Sequence, residues 1–138
     1  ANGGLLMRPY INSEIKPYVV RRVISHETAE KVTKMMESAV EKAQVATISQ
    51  YRVAGKTGTA QIPENGVYTE QYIHSYVGFA PASNPRFVIL LKLEKPNVVL
   101  AGQTVVPAFQ KLAQYALNYY NVAPDKLPVP SATSTLKQ

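Results

Sequence analysis

The residues most able to do chemistry form one short string, Val53-Ala54-Gly55-Lys56-Thr57-Gly58-Thr59-Ala60-Gln61. It combines an ammonium, two hydroxyls and two glycines within a stretch that otherwise reads as a β-strand. Glycine has poor strand propensity, so such a strand is expected to serve a purpose beyond packing. Gly58 carries no Cβ, which lets a ligand backbone approach the strand closely. Side chains alternate along a strand, so the Thr57 and Thr59 hydroxyls point the same way. Lys56 belongs to the other face, but at a sheet edge its long stem can reach the same cleft. Two hydroxyls and an ammonium around a glycine opening suit an anionic group such as a peptide carboxylate. A bare Lys-Thr-Gly arises often enough by chance that the tripeptide alone carries little. Its surroundings must carry the rest.

Those surroundings predict a single α+β unit. Arg52 to Gln61 and Tyr72 to Ala80 read as strands. Arg86 to Glu94 reads as a third, whose run Phe87-Val88-Ile89-Leu90-Leu91 is apolar on both faces and predicts the buried middle of a sheet. The Ala82-Ser83-Asn84-Pro85 turn predicts that the second and third of these strands form an antiparallel hairpin. Upstream, Leu5 to Ile11 and Ile15 to Val20 read as short extended pieces interrupted by Pro9 and Pro17. Between the two groups, Ser25 is a plausible N-cap, with Glu27 and Glu30 in the first turn. Ala29, Val32, Met35, Met36, Ala39, Val40 and Ala43 then repeat with helical spacing over about five turns. The Met pair reads as core filling. A last helix starts near Thr104, with Pro107 in its first turn. Its apolar face is Phe109, Leu112, Ala113, Ala116, Leu117 and Tyr120, and Tyr115, Tyr119 and Tyr120 read as core and rim packing. From Ala123 the Pro- and Ser-rich sequence reads as a flexible tail, 123–138.

Composition narrows the function classes. The chain has 138 residues, 46% of them hydrophobic, enough for a real core. It has no cysteine, which rules out disulfides and thiolate zinc sites. The net charge of +6 is scattered rather than gathered in a stripe, which argues against a nucleic-acid surface. His26 and His74 stand far apart with no ligand cluster, so each reads as an ordinary structural residue. No apolar stretch approaches the ~20 residues that span a bilayer. The start at Ala1, without Met, reads as an internal cut in a longer protein.

The string Ala54 to Gln61 resembles the third motif of class B penicillin-binding proteins, where Lys-Thr-Gly lines the active site. The flanks agree in order. Ala1-Asn2-Gly3-Gly4 with Arg8-Pro9-Tyr10-Ile11 is similar to the stretch well before that motif. Val23-Ile24-Ser25 and the Met35-Met36 helix are similar to the helix leading into it. His74-Ser75-Tyr76-Val77-Gly78-Phe79-Ala80-Pro81-Ala82, then Asn84-Pro85-Arg86-Phe87, is similar to the following strand pair. Ala108-Phe109 through Leu117 is similar to the closing helix. The resemblance covers residues 1–122. One departure is Lys42-Ala43-Gln44-Val45-Ala46, which stands where relatives have a Gly-Thr-Gly turn.

The resemblance implies an antiparallel sheet flanked by helices, the C-terminal portion of a serine β-lactamase or penicillin-binding transpeptidase fold. It implies a parent enzyme that crosslinks peptidoglycan by D-Ala-D-Ala transpeptidation through a serine acyl-enzyme and binds penicillin. Lys56 would supply positive charge and link to the serine of the family's second motif. Thr57 and Thr59 would hold the carboxylate of the stem peptide or of a β-lactam, and Gly58 would line the same binding site. The Thr59 N–H would form half of the oxyanion hole, and the strand backbone would pair with the extended peptide. No metal or organic cofactor is implied. The implied place is the extracytoplasmic face of the bacterial membrane, through an anchor outside this chain, among other cell-wall synthesis or division proteins.

The family's nucleophile lies in S-x-x-K, followed by S-x-N, both upstream of Lys-Thr-Gly. Ser13-Glu14-Ile15-Lys16 fits the first string, but Pro17 follows at once and no apolar helix supports its lysine. Ser134-Thr135-Leu136-Lys137 lies in the tail, and no S-x-N precedes Lys56. The chain is therefore expected to hold a substrate-clamping wall without the nucleophile. A non-catalytic penicillin sensor or peptidoglycan-binding relative is the alternative.

Overall fold

A computed structural model describes residues 1–126. Two short strands, β1 (Leu5–Met7) and β2 (Val19–Arg22), pair antiparallel as a separate ribbon. Both are shorter than the extended pieces expected around them. Pro9 and Pro17 have no N–H to give to a ladder, and pairing stops short of each. The helix α1 (His26–Ala43) follows, then β3 (Ala54–Glu64), β4 (Val67–Ala80) and β5 (Phe87–Glu94). These three form an antiparallel sheet in the order β3-β4-β5. A short 3₁₀ turn (Ala101–Gln103) leads into the final helix α2 (Val105–Tyr119).

The β3–β4 hairpin is longer than expected at both inner ends. Asn65 and Gly66 form its two-residue loop with φ of 52° and 82°, and Glu64 pairs with Val67 across it. That is the backbone twist an Asn-Gly turn favours in a tight hairpin. Pro63 lies within β3, where the register shifts between Gln61 and Pro63. A bulge on an edge strand accommodates a residue without an N–H.

The strand β5 departs from its expected place. β4 is the middle strand and β5 is an edge. Phe87, Ile89 and Leu91 face inward and are half-buried, whereas Val88 and Leu90 are exposed. Among the described residues nothing covers that second face, so a run apolar on both sides is packed on one.

The core lies between the sheet and α2. Phe109, Ala113 and Leu117 of α2 are fully buried, together with Tyr76 of β4. The Tyr76 and Phe109 rings meet at 4.6 Å between centroids. Two glycines permit this contact. A Cβ at Gly55 would lie 2.0 Å from the Tyr76 hydroxyl, and one at Gly78 would lie 2.8 Å from the Phe109 ring. Leu112 and Tyr120, expected on the buried face of α2, are exposed, because they fall on the rim of the Phe109–Leu117 stripe. Tyr115 and Tyr119 are exposed too, their rings stacked 5.9 Å apart.

Ser25 caps α1 as expected, its Oγ accepting from the Thr28 N–H at 3.0 Å. Only Val40 of α1 is fully buried. Met36 packs against Ala54, Phe79 and Ala82, but Met35 is exposed, so the Met pair divides between core and surface. After α1 the chain turns through Gln44 and Ala46, both with positive φ, 50° and 54°. These are the positions at which a Gly-x-Gly turn would relieve backbone strain. The departure in Lys42–Ala46 thus keeps the turn and loses its glycines.

The chain after α2 is held to the body as far as Lys126. Tyr51 Oη donates to the Val122 carbonyl at 2.6 Å, and the Lys126 N–H donates to the Gln50 carbonyl at 3.0 Å. A boundary at Ala123 therefore falls inside a docked segment. The remainder of the expected tail, 127–138, lies outside the described residues, as does Ser134 to Lys137.

Candidate functional site

The strand β3 has one paired edge and one open edge among the described residues. Its register with β4 sets Lys56 opposite Val77, Thr57 opposite Tyr76, Gly58 opposite Ser75 and Thr59 opposite His74. Directly opposed residues share a face of the sheet. Thr57 and Thr59 therefore lie on the α2 side, with Tyr76 and His74. Lys56 and Gly58 lie on the other side, with Val77 and Ser75. The four residues thus remain consecutive along the open edge but present their side chains to two faces.

Lys56 is exposed, and its Nζ donates to the Thr57 carbonyl at 2.8 Å. The ammonium is curled back on the strand, as its long stem allows. Thr57 and Gly58 are half-buried and Thr59 is exposed. Gly58 has a local role as well as an open approach. A Cβ there would come 2.4 Å from the Ser75 hydroxyl oxygen, so the absent side chain makes room for Ser75 across the ladder. The sequence did not single out Ser75. Its only signal is its place opposite Gly58, and the hairpin register had to be known first.

Beneath this strand the polar groups divide into satisfied and orphaned. His74 is fully buried, and both ring nitrogens are engaged: Nδ1 with Thr104 Oγ1 at 2.9 Å and Nε2 with the Val99 carbonyl at 2.8 Å. It ties β4 to the segment before α2, and neither ring nitrogen is free to take a metal. Thr104 precedes α2, but its hydroxyl meets His74 instead of capping the helix. His26 is on the surface, 3.3 Å from Glu30. The Tyr76 hydroxyl, by contrast, is buried with no hydrogen-bond partner among the described residues, and burial pushes its pKa up to about 12.

At the start of β3 a second polar group assembles. Arg52 lies between Glu37 of α1, at 3.7 Å, and Asp125, at 3.4 Å. Burial pushes the Glu37 carboxyl up, against the opposing pull of Arg52. Burial also acts to raise Asp125, but the Ser83 hydroxyl, the Arg52 and Ser83 amides and the Arg52 charge together hold it below the usual carboxylate range. Sequence reasoning missed this group. Asp125 sits between Pro124 and Lys126 in a stretch without periodicity, and only the return of the chain past α2 brings it to Arg52.

Ser13 and Lys16 lie in an exposed loop between β1 and β2 and belong to no helix. Both side chains are exposed.

Residues 1–114 match the family described as penicillin binding protein transpeptidase domain. The chain belongs to that family. It is 34% identical to stage V sporulation protein D of Bacillus subtilis, over 91% of this chain and 22% of that protein. It is also 34% identical to the probable peptidoglycan D,D-transpeptidase PenA of Neisseria flavescens, over 85% of this chain and 30% of that protein. Among solved structures, the transpeptidase domain of penicillin-binding protein 3 from Burkholderia pseudomallei superposes with a TM-score of 0.78 and 34% identity, covering 93% of this chain and 41% of that one. The chain therefore spans less than a third of the length of these curated relatives. The class B resemblance seen in Ala54 to Gln61 holds, and so does the sheet flanked by helices. Among the described residues no helix is long and apolar enough to cross a membrane.

Proposed function

We propose that this chain forms the substrate-clamping wall of a peptidoglycan D,D-transpeptidase, with Lys56, Thr57, Gly58 and Thr59 as its working residues. The observation that carries the reading is the open edge of β3, along which an exposed ammonium, two threonines and a glycine follow one another. An edge strand offers unpaired backbone groups to an extended peptide. The relatives named as D,D-transpeptidases support the reaction class.

In this reading the stem peptide, ending in D-Ala-D-Ala, or a β-lactam lies along β3. Its carboxylate is held by Lys56, Thr57 and Thr59. The Thr59 N–H supplies half of the oxyanion hole, stabilising the tetrahedral intermediate through a dipole fixed beforehand. Lys56 would uncurl from the Thr57 carbonyl and turn to the anion and to the serine of S-x-N. The attacking serine of S-x-x-K, its base and any membrane anchor belong to a part of the protein outside this chain. The wall works on the extracytoplasmic face of the membrane and needs no cofactor.

Labelled penicillin tests the reading. The isolated chain should take up no covalent label, and the complementary N-terminal piece should restore labelling. In that reconstituted enzyme Lys56→Ala or Thr57→Ala should lower the acylation rate on the order of a hundredfold. Label on any serine of the isolated chain, or normal acylation by both variants, would sink the proposal. A stable acyl adduct without turnover of a peptide substrate would instead favour a penicillin sensor.

A further inference from the structure

We propose that Asp125 is a positioning residue for the Lys56–Thr59 strand. The inference rests on the reading of that strand as the substrate wall. Asp125 lies beyond residues 1–114 matched to the family, in the segment that follows α2.

Its carboxylate gathers two distant pieces of chain. It accepts from the Arg52 N–H at 2.7 Å and the Arg52 Nε at 3.4 Å. It also accepts from the Ser83 hydroxyl at 2.7 Å and the Ser83 N–H at 3.2 Å. Four donors on one ionised carboxylate make a strong, directional clamp. Only 11% of the Asp125 side chain remains exposed, and its two bonds to Arg52 are partly shielded from water, whereas those to Ser83 lie at the surface.

The clamp sits where it can set the placement of β3. Arg52 lies two residues before the first residue of β3 and four before Lys56. Its backbone is held at both ends: the N–H by Asp125 and the carbonyl by the Ala82 N–H at 2.8 Å. Ser83 belongs to the turn that joins β4 to β5. One carboxylate thus ties the start of the proposed substrate strand to the end of its ladder partner. A paired strand stretches little, so fixing Arg52 fixes where Lys56 and Thr59 fall along the open edge. Glu37 on α1 holds the outer end of the Arg52 guanidinium, but at 3.7 Å and without touching the backbone. Lys126 secures the clamp through its bond to the Gln50 carbonyl.

Amide hydrogen exchange on the complete chain tests this directly. Asp125→Asn keeps the size but removes the charge and one acceptor oxygen. It should speed exchange at Arg52 and Ser83, and also at those amides of Lys56 to Thr59 that donate to β4, by roughly tenfold or more. Amides in α2 should not change, and Asp125→Glu should restore part of the protection. Faster exchange at Arg52 and Ser83 alone would reduce Asp125 to a local staple and overturn the proposal. A uniform rise in both Asp125→Asn and the milder Ser83→Ala would overturn it too, because the effect would be global.

A second arm uses penicillin acylation with the complementary N-terminal piece supplied. Asp125→Asn should slow acylation several-fold at temperatures where α2 remains fully protected, and normal acylation would count against the proposal. Failure of the unmutated protein to acylate would strike the substrate-wall reading instead, while exchange at Lys56 to Thr59 still decides the clamp.

Discussion

The two faces of the β3-β4-β5 sheet differ more than their sequences do. On the α2 side, Tyr76, His74 and Phe109 are fully buried, and Phe87, Ile89 and Leu91 are half-buried around them. On the α1 side only Ala54, Phe79, Ala82 and Met36 gather. Val77, Val88 and Leu90 are exposed there, and so are Val32 and Met35 of α1. Both faces are apolar, and both helices are amphipathic. The difference is coverage: α2 lies across the sheet, whereas α1 touches mainly β3. An apolar pattern says that a surface favours burial, but not that the same chain supplies the cover. Lys56 belongs to the open face and Thr57 and Thr59 to the α2 side, so the proposed site lies along the β3 edge where the two faces meet.

Substitutions can break or sharpen this contrast. The largest effect is expected on the closed face. Phe109→Ala should lose about 3–5 kcal/mol by removing the ring that fills the space over Gly78 and Tyr76. A loss under about 1 kcal/mol in denaturant unfolding would mean that the α2 side is no better packed than the other.

Gly55→Ala comes next, at roughly 1–3 kcal/mol, because the new methyl must displace the Tyr76 hydroxyl. A neutral thermal midpoint would show that Tyr76 has room to move.

Tyr76→Phe should have the opposite sign or no cost, since the hydroxyl it removes has no partner among the described residues. The pH dependence gives an independent check. A folded pKa near 12, raised from the model-peptide value of 10, means that this group's contribution is intact below about pH 10 and lost as pH rises toward 12. The Phe variant should lose less stability than the parent between those limits, and parallel curves would show that Tyr76 does not titrate with unfolding.

Gln44→Gly should stabilise by about 1 kcal/mol by relieving the positive φ after α1, and a lower melting temperature would contradict that. The smallest change is expected on the open face. Val88→Thr or Leu90→Thr should move stability by less than about 0.5 kcal/mol in this chain. A larger loss would reveal that this face is covered in solution.

Much of this architecture was legible because it depends on local rules. Ser25 capped α1 as its type predicts. Pro107 sits in the first turn of α2, and the turn at Ala82–Pro85 joined two antiparallel strands. Lys56 to Thr59 lie on a strand, as expected despite the poor strand propensity of its glycines. What failed depended on neighbours. The run at Phe87–Leu91 predicts burial on two sides, but β5 lies at an edge. Met35 and Met36 are adjacent in the same helical pattern, yet only Met36 meets the sheet. Asn65-Gly66 is a local hairpin signal, and it extends β4 back to Val67, beyond the strand expected from Tyr72.

The sequence by itself determined the family, the helix and strand types and the four consecutive residues of the candidate site. Those follow from side-chain chemistry and short-range backbone preference, which each segment carries wherever it goes. Only the tertiary structure decided which face each residue occupies, that Ser75 lies against Gly58, that the Tyr76 hydroxyl is buried without a partner among the described residues and that Asp125 returns to Arg52. These contacts join residues far apart in the chain, and no local pattern encodes a partner that arrives only when the sheet and α2 close on one another.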